Sequence, residues 1–229
     1  MDLHPDIRIQ KLTLGAEHAP LLIVDNFVSA PEELIEQAVR KPFAPAASYF
    51  PGVRVKASLS YQDLYSKLRG TLHEMFELEG PLLRFSMCHY SLVTTQPAEL
   101  ALPQRIPHAD SLGRAGLAAI HYLFKANHGG TAFYRHRQTG YEYVDESRQK
   151  RYLECIRQEL AGPNQPGPGY INGDTPLFER IASADGVFNR LLIYRRNSLH
   201  SGSISQDFVP DPNPLTGRLS INSFMDFAQ

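Results

Sequence analysis

The chain has 229 residues, of which 42% are hydrophobic and 21% charged, and its 23 basic and 24 acidic side chains give a formal net charge of -1. This length fits one globular domain over residues 1–229, and the nearly neutral charge disfavours a polyanionic partner such as DNA or RNA. No apolar run approaches the roughly 20 residues that a membrane-spanning helix needs. We therefore expect a protein that binds neither nucleic acid nor membrane.

The N-terminal sequence and the cysteines bear on the cellular compartment. Asp2 and Pro5 stand where a secretory leader would carry basic residues followed by an apolar core. Cys88 and Cys155 are too far apart for a metal-binding pair, and two cysteines cannot form a disulfide framework in a chain of this length. These features predict a cytoplasmic protein with reduced thiols.

Residues 1–80 are predicted to be a supporting region of short strands and helices. An apolar run at 20–27 predicts a strand. Hydrophobic residues at helical spacing predict helices over 31–39 and 61–76, and Ser29 is placed to cap the first of these helices.

The sequence from residue 84 onward is typical of β-strands. Apolar and polar residues alternate in segments bounded by Gly, Pro, Asn or Asp. The predicted strands are 84–93, 117–125, 131–137, 187–195 and 218–227. Because few helices intervene, we predict a mainly β fold with flanking helices (α+β), in which an antiparallel sandwich over 84–227 forms the core.

Residues 138–185 interrupt this series of strands. They contain a predicted helix over 145–160 and then a segment rich in Pro and Gly over 163–176. An irregular insertion of this size inside a compact domain is typical of a lid or binding loop. A solvated surface excursion is the alternative interpretation.

His108 and Asp110 could bind a metal ion. In an extended segment, residues two apart point to the same side, so this pair could occupy two coordination positions. His200 follows the strongly apolar segment 191–194 and could supply a third ligand. Two histidines and one carboxylate form the facial triad of non-haem Fe(II) oxygenases. The alternative is a hydrogen-bonded loop pair without metal.

Arg218 could bind an anion. It opens the last predicted strand, where Ser220 and Asn222 share its face. An arginine that points into a barrel is costly unless an anion meets it, and a carboxylate fits its planar fork best. The alternative is a surface arginine paired with Asp226.

In this order the motifs resemble the Fe(II)/2-oxoglutarate-dependent dioxygenase superfamily, and in particular its prolyl-hydroxylase-like branch. The resemblance covers 84–227 and carries an additional loop at 207–216. The matching positions, in chain order, are Tyr90, His108 with Asp110, Tyr122 with Leu123, 129–133, His200, and Arg218 with Ser220.

The resemblance implies a double-stranded β-helix, the jelly-roll and cupin-like architecture, with an Fe(II) ion at its open end. The metal ligands and catalytic residues that it implies are His108, Asp110 and His200. The residues that it implies for binding 2-oxoglutarate are Arg218, Ser220, Tyr90 and Tyr122. Arg218 would pair with the distal carboxylate of that co-substrate.

The implied activity is that of an oxygenase that consumes O2 and 2-oxoglutarate, releases succinate, and oxidises an unactivated C-H bond. Its substrate would be a small molecule or an amino-acid or peptide side chain. Because Asp110 fills the coordination position that a halide would need, hydroxylation or desaturation is favoured over halogenation. Two alternatives remain open, a cupin-like metal hydrolase or isomerase and a non-catalytic jelly-roll binding module.

Overall fold

The computed structural model describes residues 1–46 and 49–227. The strands are β1 Arg8–Leu14, β2 Ala19–Asp25, β3 Ala44–Pro45, β4 Gly52–Lys56, β5 Leu82–Val93, β6 Gly116–Tyr122, β7 Gly130–His136, β8 Phe178–Asp185, β9 Leu191–Arg195, β10 His200–Ser203 and β11 Leu219–Phe227. The α-helices are α1 Pro31–Val39, α2 Leu59–Gln62, α3 Arg69–Phe76 and α4 Glu146–Leu160. Short 3-10 helices lie at Asp63–Leu68, Pro97–Glu99 and Leu102–Arg105.

Two antiparallel sheets form the body of the protein. The main sheet has eight strands in the order β1-β2-β9-β6-β11-β5-β4-β3, and the minor sheet has three in the order β10-β7-β8. Side chains of both sheets, among them Tyr122, Tyr194 and Phe133, fill the space between them. The prediction of a mainly β fold with flanking helices is confirmed.

The main sheet is buried on both of its faces. One face turns toward the minor sheet, and the other packs against α1, α2 and α3 through a larger apolar cluster. Successive residues of a strand point to opposite faces. Each residue of a central strand therefore points either toward the minor sheet, which we call inward, or toward the helices.

The predicted helices of the supporting region are present. The segment 61–76 is divided into α2, a 3-10 helix and α3. Helix α1 spans the predicted residues, but Ala30 is its N-cap residue, and the Ser29 hydroxyl instead donates to the backbone oxygen of Asp2. No helix among the described residues combines the length and the apolar character that a membrane crossing requires.

The sheets extend further toward the N-terminus than the predicted core of 84–227. Strands β1 to β4 precede that core and supply both edges of the main sheet. Strand β1 is exposed along nearly its whole length, so no hydrophobic alternation marks it in the sequence. Much of the region 1–80 therefore belongs to the sheet itself.

The predicted insertion at 138–185 contains two kinds of structure. Helix α4 begins after Asp145, whose side chain caps it, and strand β8 completes the minor sheet. The irregular part is limited to the segment 161–177. Tyr170 of this segment is buried, and its hydroxyl donates to the backbone oxygen of Thr95 at 2.7 Å.

Leu22 tests the position of the helix-facing core. Its side chain is fully buried, so Leu22→Ala should lower the free energy of unfolding by about 2–5 kcal/mol through lost contacts and a cavity. The matched change Leu59→Ala, at a residue that is 77% exposed, should alter it by less than about 0.5 kcal/mol. Urea unfolding followed by circular dichroism measures both values, and equal losses would contradict this core.

Candidate metal centre

Main-chain hydrogen bonds hold the segment that carries His108 and Asp110. The His108 N-H donates to the oxygen of His200 at 2.9 Å, and the His200 N-H donates to the oxygen of His108 at 3.0 Å. The Asp110 N-H donates to the oxygen of Arg196 at 2.7 Å. The predicted pair is thus fixed by backbone pairing to the chain around the third predicted ligand.

His200 is the first residue of β10, and its ring is held in one orientation. Its Nδ1 lies 3.0 Å from the backbone oxygen of Ser198, and its ring packs on that of Tyr194 with centroids 4.7 Å apart. We assign the proton to Nδ1 because its neighbour is an acceptor. The lone pair of Nε2 is then available to a metal ion.

The three predicted ligands meet in the structure. Asp110 Oδ1 lies 3.6 Å from His108 Nε2, and Asp110 Oδ2 lies 3.5 Å from His200 Nε2. One ligand atom from each residue lies within 4.8 Å of the others. Two imidazole nitrogens and one carboxylate oxygen suit Fe(II) and similar divalent ions, and they leave positions open for other ligands. The donor set fits such a metal.

Electrostatics favours the metal-binding form of His108. Its ring is surrounded by protein, yet 54% of its side chain is exposed, as expected for a residue that lines a depression. Desolvation lowers the pKa of His108 to about 4, with further lowering by His200 and Arg54, while Asp110 acts in the opposite direction. The imidazole is therefore neutral at neutral pH, as metal ligation requires.

Arg218 is buried just before β11 and faces inward, and it is only 6% exposed. Its Nε donates to the oxygen of His128 at 2.9 Å and its Nη2 to the oxygen of Gly130 at 2.8 Å. Among the described residues, no carboxylate forms an ion pair with it, and burial lowers its pKa. A buried guanidinium without a counter-charge is costly, so this site fits the carboxylate of a ligand.

Gly129 and Gly130 make the backbone approach beside Arg218 possible. Gly129 has a φ of +79°, and a Cβ there would overlap the backbone oxygen of Ser203. A Cβ on Gly130 would overlap the backbone oxygen of Ala184. Larger residues would push β7 away from its neighbours and displace the carbonyl that orients the guanidinium.

Two further predicted residues lie near Arg218. Ser220 pairs with Tyr122 across β11 and β6, so both side chains point inward. The Arg218 guanidinium lies 5.9 Å from the centroid of the Tyr122 ring, whose hydroxyl is 2.7 Å from Thr131 Oγ1. Ser220 Oγ donates to Asn222 Oδ1 at 2.8 Å. The structure thus groups Arg218, Ser220 and Tyr122.

Tyr90 lies on the other face of the main sheet, so its predicted cofactor role is wrong. In β5, Ser91 pairs with the inward Ser220, whereas Tyr90 pairs with Ile221 and points toward the helices. The Tyr90 ring is buried in the helix-facing cluster, and its hydroxyl donates to Gln37 of α1 at 3.3 Å. Ser91 is the inward residue at this position of the strand.

Arg54 is an inward residue that the sequence analysis missed. It pairs with Ser91 across β4 and β5, and its Nε donates to Ser91 Oγ at 3.1 Å. Burial lowers the pKa of Arg54 to about 10, and the negative charge of Asp110 opposes this lowering. Arg54 therefore lies within electrostatic reach of the metal ligands. The available signal was its place between two valines in Gly52–Lys56.

The chain belongs to a family defined by sequence. Residues 5–225 match the model described as "Family of unknown function (DUF6445)", so the family covers nearly the whole protein. A comparison with curated proteins finds no matching relative.

Solved structures share the fold. HygX from Streptomyces hygroscopicus, with nickel and 2-oxoglutarate bound, has a TM-score of 0.52 at 11% identity, covering 93% of this chain and 84% of that chain. A prolyl-4-hydroxylase from Pseudomonas putida has a TM-score of 0.49 at 13% identity, covering 97% of this chain and 93% of that chain. The resemblance to Fe(II)/2-oxoglutarate oxygenases is confirmed at the level of the fold.

Metal titration tests the triad. We expect His200→Ala to weaken Ni(II) or Fe(II) binding by at least about 100-fold, because it removes a ligand and not merely a supporting contact. His18→Asn, at an exposed histidine with positive φ, should bind metal like the wild type. Anaerobic calorimetry measures both affinities, and unchanged binding by His200→Ala would exclude this site.

Proposed function

We propose that this protein is an Fe(II)/2-oxoglutarate-dependent oxygenase with a double-stranded β-helix core. The observation that carries the proposal is Arg218, a buried cation without an ion-pair partner among the described residues, on the face that Ser220 and Tyr122 share. Arg218 and the three-residue ligand cluster provide sites for the two components that such an enzyme needs. The likeness of fold to HygX supports this proposal.

The triad would hold the iron. His200 would bind through Nε2, since its Nδ1 is engaged by Ser198, and His108 is neutral and exposed to the open depression. Bound iron, O2 and 2-oxoglutarate would together convert the co-substrate to succinate and CO2 and deliver one oxygen atom to a substrate C-H bond. Asp110 fills the position that a halide would occupy, which favours hydroxylation or desaturation over halogenation.

Arg218 would bind the distal carboxylate of 2-oxoglutarate. The carbonyls of His128 and Gly130 hold its Nε and Nη2, and its Nη1 has no hydrogen-bond partner among the described residues. A guanidinium held in this way is oriented before the ligand arrives. The hydroxyls of Ser220 and Tyr122 could donate to the same carboxylate.

The irregular segment 161–177 would close this end of the pocket, as the lid interpretation expects. Tyr170 packs with Phe208 in a small apolar cluster, at a ring-centroid distance of 6.0 Å. The Arg218 charge also acts on the Tyr170 hydroxyl, whose pKa is raised chiefly by burial. Tyr170 would thus exclude water from the region where the carboxylate binds, which strengthens its attraction to the guanidinium.

Arg218 also separates this activity from the alternatives. A cupin-like hydrolase or isomerase could use His108, Asp110 and His200, but it has no need for a buried cation that binds an oxoacid. A non-catalytic binding module would need neither the neutral His108 nor the fixed tautomer of His200. The proposed substrate is a small molecule or an amino-acid or peptide side chain.

Anaerobic addition of Fe(II) and 2-oxoglutarate tests the proposal. We expect a weak visible charge-transfer band, and Arg218→Met should raise the apparent Kd for 2-oxoglutarate by at least about 30-fold because it removes a buried charge partner. Arg8→Met, on the exposed edge strand β1, is the matched control and should leave this Kd unchanged.

Two outcomes would reject the proposal. The first is the absence of the band in wild-type protein that demonstrably contains iron. The second is a band whose 2-oxoglutarate dependence is the same in Arg218→Met and in the wild type. Either result would favour the hydrolase, the isomerase or the binding module.

A matched pair of tyrosine variants tests the assignment of sheet faces. Tyr122→Phe should raise the Kd for 2-oxoglutarate about 5-fold, the equivalent of one hydrogen bond of about 1 kcal/mol. Tyr90→Phe should leave that Kd unchanged, because its hydroxyl contacts Gln37 on the other face. A larger effect of Tyr90→Phe would show that the two faces have been exchanged.

A further inference from the structure

A basic depression opens on the inward side of β4 and β5. Its volume is about 380 Å³, and its lining includes Arg54, Lys56, Met87 and His89, together with the short strand β3. Two permanently charged cations and one histidine thus line it, and no acidic residue does. A depression of this composition attracts an anion.

Strand register places this depression on the same sheet face as the proposed co-substrate site. Arg54 pairs with Ser91, which in turn pairs with Ser220 of β11. In the next row, Lys56 pairs with His89. Because directly paired residues point to the same face, these side chains are all inward. The depression therefore adjoins the metal centre on the β4 side.

Arg54 is held with part of its guanidinium unpaired. Its Nε is bound to Ser91 Oγ at 3.1 Å, and the guanidinium carbon lies 4.1 Å from the centroid of the Phe50 ring. The contact of Nη1 is with Met87 Sδ at 3.5 Å, and a thioether is a weak acceptor. Nη2 has no hydrogen-bond partner among the described residues, and none of their carboxylates forms an ion pair with Arg54.

The local field at this place is positive. Burial first, and then the charges of Arg54 and Lys56, lower the pKa of His89. His89 Nδ1 is itself buried without a hydrogen-bond partner among the described residues. Asp110 acts electrostatically on Arg54 but does not pair with it, and in the proposed enzyme its charge is committed to the metal.

We infer that Arg54 binds an oxyanion group, a carboxylate or a phosphate, of the primary substrate. This inference rests on the proposed function, because it assigns the co-substrate carboxylate to Arg218 and leaves Arg54 for the molecule to be oxidised. The planar fork of Arg54, oriented by Ser91 and Phe50, suits two parallel hydrogen bonds to either group. Anchoring there would place a nearby C-H bond of the substrate beside the open metal positions.

A paired substrate panel tests the inference with the iron-loaded protein. One arm contains free amino acids and simple carboxylic acids, each with its own primary amide. The other arm contains phosphate monoesters, each with its parent alcohol. Succinate formation from 2-oxoglutarate is the readout, and we expect anionic members of one arm to stimulate it while their neutral partners do not. The arm that responds identifies the anion.

Variants of Arg54 then show which residue recognises the anion. In Arg54→Met, the KM of a stimulating anion relative to that of its neutral partner should rise by at least about 30-fold, whereas Arg54→Lys should fall between the two because it cannot form the bidentate contact. This ratio is compared within each variant, so a general loss of activity does not change it. Arg8→Met, on the opposite edge strand β1, is the matched control.

Each other outcome is assigned in advance. Neutral partners that stimulate as well as the anions, a ratio unchanged in Arg54→Met, or basal succinate formation that no anionic member increases would each overturn the inference. A protein that binds no 2-oxoglutarate and forms no succinate at all would instead reject the proposed function. The two failures are therefore distinguishable.

Discussion

Two reciprocal backbone hydrogen bonds between His108 and His200 are the constraint on which the site depends. They join an extended segment ahead of β6 to the start of β10, and so bring together ligands that are far apart in the sequence. With Asp110 fixed to the carbonyl of Arg196, both imidazoles meet one carboxylate at about metal-binding separation. The centre is thus preorganised by the main chain, which lowers the cost of ordering the ligands around an ion.

The second constraint is the burial of the main sheet on both faces. Inward positions carry the polar groups of the proposed site, including Arg218, Ser220 and Arg54. Positions that face the helices carry residues of the structural core, such as Tyr90 and His121, and His121 Nε2 lies 3.0 Å from Asn189 Oδ1. One change of face therefore separates residues available to ligands from residues that only stabilise the fold.

The sequence predicted the ligands well because their signal is local. The spacing of His108 and Asp110, and the apolar strand ahead of His200, depend only on neighbouring residues. Tyr90 was misplaced because both faces of β5 are buried, so alternation could not show which face turns inward. Arg54 was missed because its importance depends on the pairing of β4 with β5, a long-range contact that no local pattern records.

The limits of the elements follow the same rule. Helix α4 was predicted closely because an acidic cap and a helical period mark it, whereas β1 has no apolar alternation and was not recognised. Strand β8 was included in the irregular insertion because its role in the minor sheet depends on pairing with β7. Local chemistry could be predicted, but the assignment of faces required the structure.

A crystal structure of the protein with Fe(II) and 2-oxoglutarate, prepared without oxygen, tests the central claim most directly. We expect an anomalous iron peak bounded by His108, Asp110 and His200, and 2-oxoglutarate density that extends from the iron to the guanidinium of Arg218. Iron bound elsewhere, or 2-oxoglutarate whose distal carboxylate pairs with Arg54 and leaves Arg218 without a partner, would contradict the claim.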